Sequence, residues 1–221
     1  VFMVVLGTVL LNATTARLFA KMVGVFLKRS NAIMIIGASE VSRLIAGYLK
    51  ENNRRVVLID SNPDNVAKAK IDGFEAFQAN IYNIELNDVG YMVAMTGSDA
   101  INKYAIENFS AAFGEQGAYR IATSQEVITK EYDDDDVMFT IKDDYLNLME
   151  TIREYPTIHE HIVNSLQEYK DILGKLYEEP RSIPVLVKSS ENKILLISEF
   201  QKTVKNIDKS TLVYLGKKLE I

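Results

Sequence analysis

Residues 32–42 read AIMIIGASEVS, and residues 55–63 read RVVLIDSNP. The first stretch is a short apolar run that ends in Gly37. After it, Val41, Leu44, Ile45, Tyr48 and Leu49 recur at helical spacing. Unbroken apolar runs of this length suit a central parallel strand covered on both faces. The second stretch is another such run, closed by Asp60 at 23 residues beyond Gly37. Pro63 then opens a helix with Asn62 as its cap. Working outward, residues 74–78 and 91–95 read as strands, 100–113 as a helix and 119–122 as a fifth strand. Alternation this regular predicts an α/β fold, a doubly wound parallel (Rossmann-like) sheet with right-handed crossovers.

In such a sheet the ligand site lies where the strand order reverses. A glycine turn lets the backbone approach a pyrophosphate at a helix N-terminus, and an acid about 20 residues on holds ribose hydroxyls. Gly37 and Asp60 fill those two places. The other two glycine positions hold Ser39 and Ser42. Ser39 brings a Cβ to the point of closest approach, although its hydroxyl can donate a hydrogen bond. Two readings stay open: a nucleotide site, or a turn that needs Gly37 and a loop capped by Asp60. For a nucleotide, Ser61 and Asn62 supply no arginine for a 2′-phosphate, which favours NAD or AMP, ADP or ATP over NADP.

The run IMIIGASEVSRLIAGYL, continued by RRVVLIDSNPDNVAKAKIDGFEAFQANIYN and YMVAMTGSDAINKYAI, resembles the RCK (KTN, TrkA-N) domain over roughly residues 31–130. That family is a Rossmann-like regulatory module of potassium channels, potassium uptake systems and cation/proton antiporters. Its T-x-x-D-x-x-N motif stands intact from Thr96 through Asp99 to Asn102, while its Gly-Asp pair is replaced by Ala79-Asn80. The resemblance implies a site in which Gly37, Ala38 and Ser39 face phosphates and Asp60 and Ser61 face ribose. Thr96 to Asp99 would form the opposite wall, and Asn80 stands at a further ligand-facing position.

Overall, 221 residues with 48% hydrophobic and 25% charged side chains make an ordinary folded protein. The absence of cysteine excludes disulfides, thiolate metal sites and thiol nucleophiles. Of 25 basic and 30 acidic residues, four bases and no acid fall in residues 1–32, leaving 21 against 30, or −9, for the rest. A nucleic-acid binder would carry the opposite bias in its folded part, so no nucleic-acid partner is expected.

The basic stretch follows residues 1–11 (VFMVVLGTVLL), and no charge precedes Arg17. Sixteen uncharged residues span about 24 Å as a helix, short of a full crossing of ~30 Å. The expectation is a fragment that begins inside a transmembrane helix. Arg17, Lys21 and Lys28 then lie on one helical face and Leu18, Phe19, Met22, Val25 and Phe26 on the other, as suits a cytoplasmic membrane surface. A buried helix of a soluble fold is the competing reading. The stretch GTVLLNATTARLFAKMVGV loosely resembles the last transmembrane helix of NhaP-type sodium/proton antiporters.

Asp133–Asp136 reads as a solvated acidic loop before a strand at 137–141, since adjacent carboxylates rarely converge on one ion. Residues 143–154 and 157–178 read as helices, with Ile158, Ile162, Leu166, Tyr169, Ile172, Leu173 and Leu176 as the apolar stripe of the second. On such a helix His159 and His161 point apart, as exposed residues with no shared metal. Pro180 and Pro184 mark a boundary, followed by short strands at 183–188, 193–198 and 211–215 that faintly resemble the β-rich lobe following RCK domains. The expected organisation is a membrane helix end and basic linker at 1–30, an RCK/TrkA-N domain at 31–141, a helical connector at 142–180 and a small β-rich lobe at 181–221.

A regulatory binding module is therefore expected, not an enzyme. The family likeness implies the membrane transport domain of the same polypeptide as partner, a homodimer, and a place at the cytoplasmic face of the inner membrane. A ligand-free dimerisation scaffold and a potassium-channel RCK domain are the alternatives. A nicotinamide oxidoreductase would need a proton donor, and the one Tyr-x-x-x-Lys, Tyr214 to Lys218, falls on the terminal strand region.

Overall fold

The structure, a computed structural model, describes residues 3, 5–7, 15, 32–83, 89–113, 117–130, 136–140, 142–191, 193–197, 207 and 209–220. The chain divides into two compact units, residues 1–30 and 31–221. In the first, Met3, Val5, Leu6, Gly7 and Thr15 are helical and exposed. The rest of the apolar span and basic helix expected there lies outside the described residues. Among the described residues no helix is long and apolar enough to cross a membrane.

The second unit begins with a five-stranded parallel sheet. Its elements are β1 (Ile33–Ile36), α1 (Glu40–Glu51), β2 (Val56–Asp60), α2 (Pro63–Ile71), β3 (Glu75–Gln78), β4 (Tyr91–Ala94), α3 (Asp99–Phe113) and β5 (Ala118–Arg120). The strand order is β3-β2-β1-β4-β5, all parallel, with the reversal between β1 and β4. β1 is central and no side chain on it is more than 4% exposed. Burying four such side chains contributes roughly 1.5–3 kcal/mol each, which is why an all-apolar run selects this position. One sheet face packs on α1 and α2 through Val41, Ile45, Leu49, Val66 and Ala69. The other packs on α3 through Ala105 and Phe113.

After a short helix α4 (Ser124–Thr129) come α5 (Tyr145–Glu154), β6 (Ile158–Val163), α6 (Leu166–Glu178), β7 (Ser182–Lys188), β8 (Ile194–Leu196) and β9 (Ser210–Gly216). The four strands form an antiparallel sheet in the order β6-β9-β7-β8. Leu148 and Ile152 of α5, with Ile183, Val185, Val213 and Leu215, join the α1 side of the first core. Tyr169, Ile172 and Leu176 of α6 cover the far face of the antiparallel sheet. A β-rich lobe thus follows the Rossmann-like sheet.

Two local expectations give way. Residues 157–178 are not one helix: 158–163 form the edge strand β6, and α6 starts only after Ser165. His159 and His161 therefore share one face of a strand. His159 bonds the Gly216 carbonyl at 3.1 Å, and His161 lies 3.6 Å from Glu168. The strand expected at 137–141 shrinks to isolated bridges, because Phe139 takes a positive φ of 64° that ends extended pairing. Pro184 lies within β7, inside the strand expected at 183–188, at a bulge between Pro184 and Leu186 where no ladder donor is required.

Candidate functional site at the strand ends

The residues singled out for ligand binding sit at the carboxyl ends of the parallel strands. Gly37 follows β1 with φ +102°, and a Cβ there would stand 2.6 Å from the Met95 carbonyl oxygen. Both the backbone angle and the neighbouring β4 end therefore require glycine. From the turn, the Ala38 amide donates to Asp60 Oδ2 at 2.8 Å. Asn62 N donates to Asp60 Oδ1 at 2.8 Å, and Asn65 Nδ2 to Oδ2 at 3.0 Å. The carboxylate at the tip of β2 thus closes directly onto the turn at the tip of β1. Asn65 was not legible as a site residue, because it acts only through Asp60 from the first turn of α2.

Ser39 is 8% exposed and serves as the N-cap of α1, accepting from Ser42 N at 3.4 Å and lying 3.0 Å from the Ser42 hydroxyl. Its hydroxyl is thus turned toward the helix. The Ala38 methyl is fully buried, while its carbonyl accepts from Arg43 Nη1 at 2.8 Å. Ser61 is exposed, and its carbonyl accepts from Gln78. Beyond β3, Asn80 is exposed and its side chain accepts from Tyr82 N at 3.3 Å.

Across the strand-order reversal, the β4 end is locked by its own motif. Asn102 is fully buried. Its Oδ1 accepts from Thr96 N at 3.0 Å and from Thr96 Oγ1 at 2.8 Å, while its Nδ2 donates to the Thr96 carbonyl at 2.9 Å. Every polar group of the pair is used, so Thr96 and Asn102 shape the loop. Asp99, at the start of α3, accepts from Ser124 N at 3.3 Å through Oδ2. A family model described as the TrkA-N domain matches residues 33–137. Those residues are a TrkA-N domain.

Three solved structures are among those similar to this chain. The NAD(P)-binding domain of an exopolyphosphatase-related protein from Archaeoglobus fulgidus is 15% identical over 44% of this chain and 77% of that one, with a TM-score of 0.37. The TrkA-N domain of the inner membrane protein ybaL from Escherichia coli is 17% identical over 47% and 95%, with a TM-score of 0.33. The GsuK channel is 13% identical over 87% of this chain and 38% of its own, with a TM-score of 0.41. No curated protein matches the sequence.

The β4–β5 side of the TrkA-N domain is closed by residues that its motifs do not announce. Arg120, 1% exposed at the end of β5, holds Glu126 through two 2.8 Å bonds and Asp136 at 3.2 Å. Burial alone would raise the Glu126 carboxyl. Arg120 and both the backbone and the hydroxyl of Thr123 overcome that and hold it down to about 2. The signal was in the sequence, since Thr123-Ser-Gln-Glu126 is a capping box that closes both ways in the structure. Ser124 reaches further, donating from Oγ to Asp144 Oδ2 at 3.0 Å. Asp144 caps α5, and the Tyr145 ring beside it lies 3.1 Å from where a Gly97 Cβ would stand. Asp144 and Tyr145 lie past the TrkA-N domain, so no motif of the domain pointed to them. Asp136 of the acidic run serves as a partner of Arg120, while Asp133 to Asp135 lie outside the described residues. Far from this crevice, Tyr214 is 2% exposed and its hydroxyl accepts from Leu219 N.

Proposed function

We propose that this chain is a regulatory module whose TrkA-N domain binds NAD or an adenine nucleotide at the strand-end crevice. Occupancy biases the transport domain of a monovalent cation/proton antiporter carried on the same polypeptide. The module works as a homodimer at the cytoplasmic face of the inner membrane and performs no covalent chemistry of its own. The observation that carries the nucleotide reading is the 2.8 Å bond from the Ala38 amide to Asp60. It joins the glycine turn that suits phosphates to the acid that suits ribose hydroxyls, at the point where the strand order reverses. The antiporter setting rests on the family resemblance and on the likeness of residues 7–25 to an antiporter helix. Regulation requires the nucleotide to bind one arrangement of the module better than another, because equal affinity shifts no equilibrium.

A second reading, a scaffold without a ligand, draws on the same polar groups. Three donors already occupy Asp60, and the Ser39 hydroxyl serves its helix. Calorimetric titration of NAD, NADH, AMP, ADP and ATP into the wild type and Asp60→Ala separates the two. Binding to the wild type that Asp60→Ala weakens by roughly tenfold or more fits loss of a charge-assisted ribose contact. Binding that the substitution leaves unchanged removes the site assignment, and no heat with any of the five favours the scaffold.

A further inference from the structure

A groove of 570 Å³ runs along the outer side of α1, walled by the turn after α2 and by residues 156–158. Its floor is apolar, made by Leu44, Gly47, Phe74 and Ile158. Glu40 and Glu51 stand at its two ends, both exposed and neither in an ion pair among the described residues. The one cation of the lining, Arg43, is already held by Asp72 at 2.8 Å. The groove therefore carries an acid at each end, while between them Arg43 is paired with Asp72 and the Lys50 ammonium rests 5.4 Å from the centre of the Phe74 ring.

Gly47 gives an independent reason to read this groove as open by construction. It lies in the interior of a twelve-residue helix, where glycine costs about 1 kcal/mol relative to alanine. Its φ is not positive, and a Cβ would meet only the Phe74 ring edge at an ordinary 3.8 Å. Nothing in the fold requires glycine there, and what its missing side chain leaves is depth in the floor.

We propose that the groove is a docking site for an extended peptide segment with a basic residue at each end and apolar residues between. Glu40 and Glu51 are separated by the length of α1, about 16 Å at 1.5 Å per residue. Some five residues of extended chain cover that distance at ~3.3 Å each. Apolar side chains on the floor contribute area removed from water, and the terminal cations meet the two free carboxylates. The groove adjoins the strand-end turn at Glu40 and through the bond from Arg43 to the Ala38 carbonyl, but none of its peptide contacts requires a nucleotide bound there.

The test uses the full chain and two fluorescein-labelled peptides, Lys-Ser-Leu-Phe-Ser-Lys and the same sequence with Glu at both ends, followed by anisotropy. The Lys-ended peptide binds, and its affinity falls as salt is added. Gly47→Met, which fills the floor, weakens it by roughly tenfold or more, and Glu51→Gln by roughly threefold, as expected for a partly screened pair. Gly47→Ala raises the melting temperature and keeps binding within about twofold. Equal binding of the Glu-ended peptide, full binding by Gly47→Met, or no binding of the Lys-ended peptide to the wild type each overturns the proposal. If Gly47→Met fails to fold, Glu51→Gln and the charge-reversed peptide decide it alone.

Discussion

The two walls of the strand-end crevice differ in what they are tied to. On the β1–β2 side, Asp60 bonds Ala38, Asn62 and Asn65, all within the adjoining turn and the first turn of α2. On the β4–β5 side, Asp99 bonds Ser124, Ser124 bonds Asp144, and Tyr145 packs on Gly97. The first wall's polar bonds stay local, and α1 behind it meets α5 through apolar packing and the lobe through Tyr48–Glu160 and Lys188–Asn52; the second wall's polar bonds themselves run on to α5. A ligand that touches only the first wall acts on the lobe through the packing of α1. One that reaches Asp99 presses on a chain of contacts leading out of the TrkA-N domain, and that is the physical form a regulatory signal would take here.

The largest effect on this comparison comes from breaking the point where both walls meet. Gly37→Ala places a methyl against the Met95 carbonyl and strains a φ of +102°, so a loss of roughly 3 kcal/mol or more is expected by chemical denaturation. Arg120→Met follows. It strips two carboxylates of their cation and is expected to cost roughly 3–5 kcal/mol at neutral pH. Because Glu126 is held down to about 2 in the fold, its contribution is present above the unfolded value near 4.5 and lost as pH falls toward 2. Melting temperatures between pH 5 and 2 should therefore fall less steeply in Arg120→Met than in the wild type.

Asp143, buried just before α5, works in the opposite sense. Burial pushes its carboxyl up to about 6, against hydrogen bonds from Thr140 and Asn147. With the folded value above the unfolded 3.8, its contribution is complete below that pH and is lost as pH rises through 6, by at most roughly 3 kcal/mol. Asp143→Asn should flatten melting temperature over pH 4–7. The smallest effect sharpens the comparison most. Ser124→Ala removes the Asp144 bond at a cost of about 1 kcal/mol. Hydrogen exchange should speed at the start of α5 and stay unchanged at α1; acceleration at α1 instead would mean the two walls are not separate.

The parallel half was legible because its strands are buried on both faces and read as unbroken apolar runs, and because Asn62-Pro63 announces a helix start that the structure keeps. β6 was not, because Ile158, Ile162 and Leu166 satisfy a helical period, whereas the face that the strand turns inward is His159, His161 and Val163, of which only Val163 is apolar. The signal against one long helix is Ser165-Leu-Gln-Glu168. Ser165 Oγ accepts from Glu168 N at 3.1 Å while Glu168 accepts from Asn164 N at 2.8 Å, fixing the helix start there. Within the site, Gly37 and Asp60 were visible from spacing. Arg120, Ser124, Asp144 and Tyr145 were not, since contacts across a fold leave no periodic trace along the chain.

The placement of β9 has a kinetic consequence. It lies between β6 and β7, which share no ladder of their own, although 46 residues separate the end of β6 from the start of β9. The lobe therefore cannot assemble in the order in which it is synthesised, and its closure waits on a long-range encounter that is slow for entropic reasons. The TrkA-N half is built from neighbouring strand–helix units, so contact order favours its forming before that encounter. It can act as the template on which the last strand finds its two neighbours.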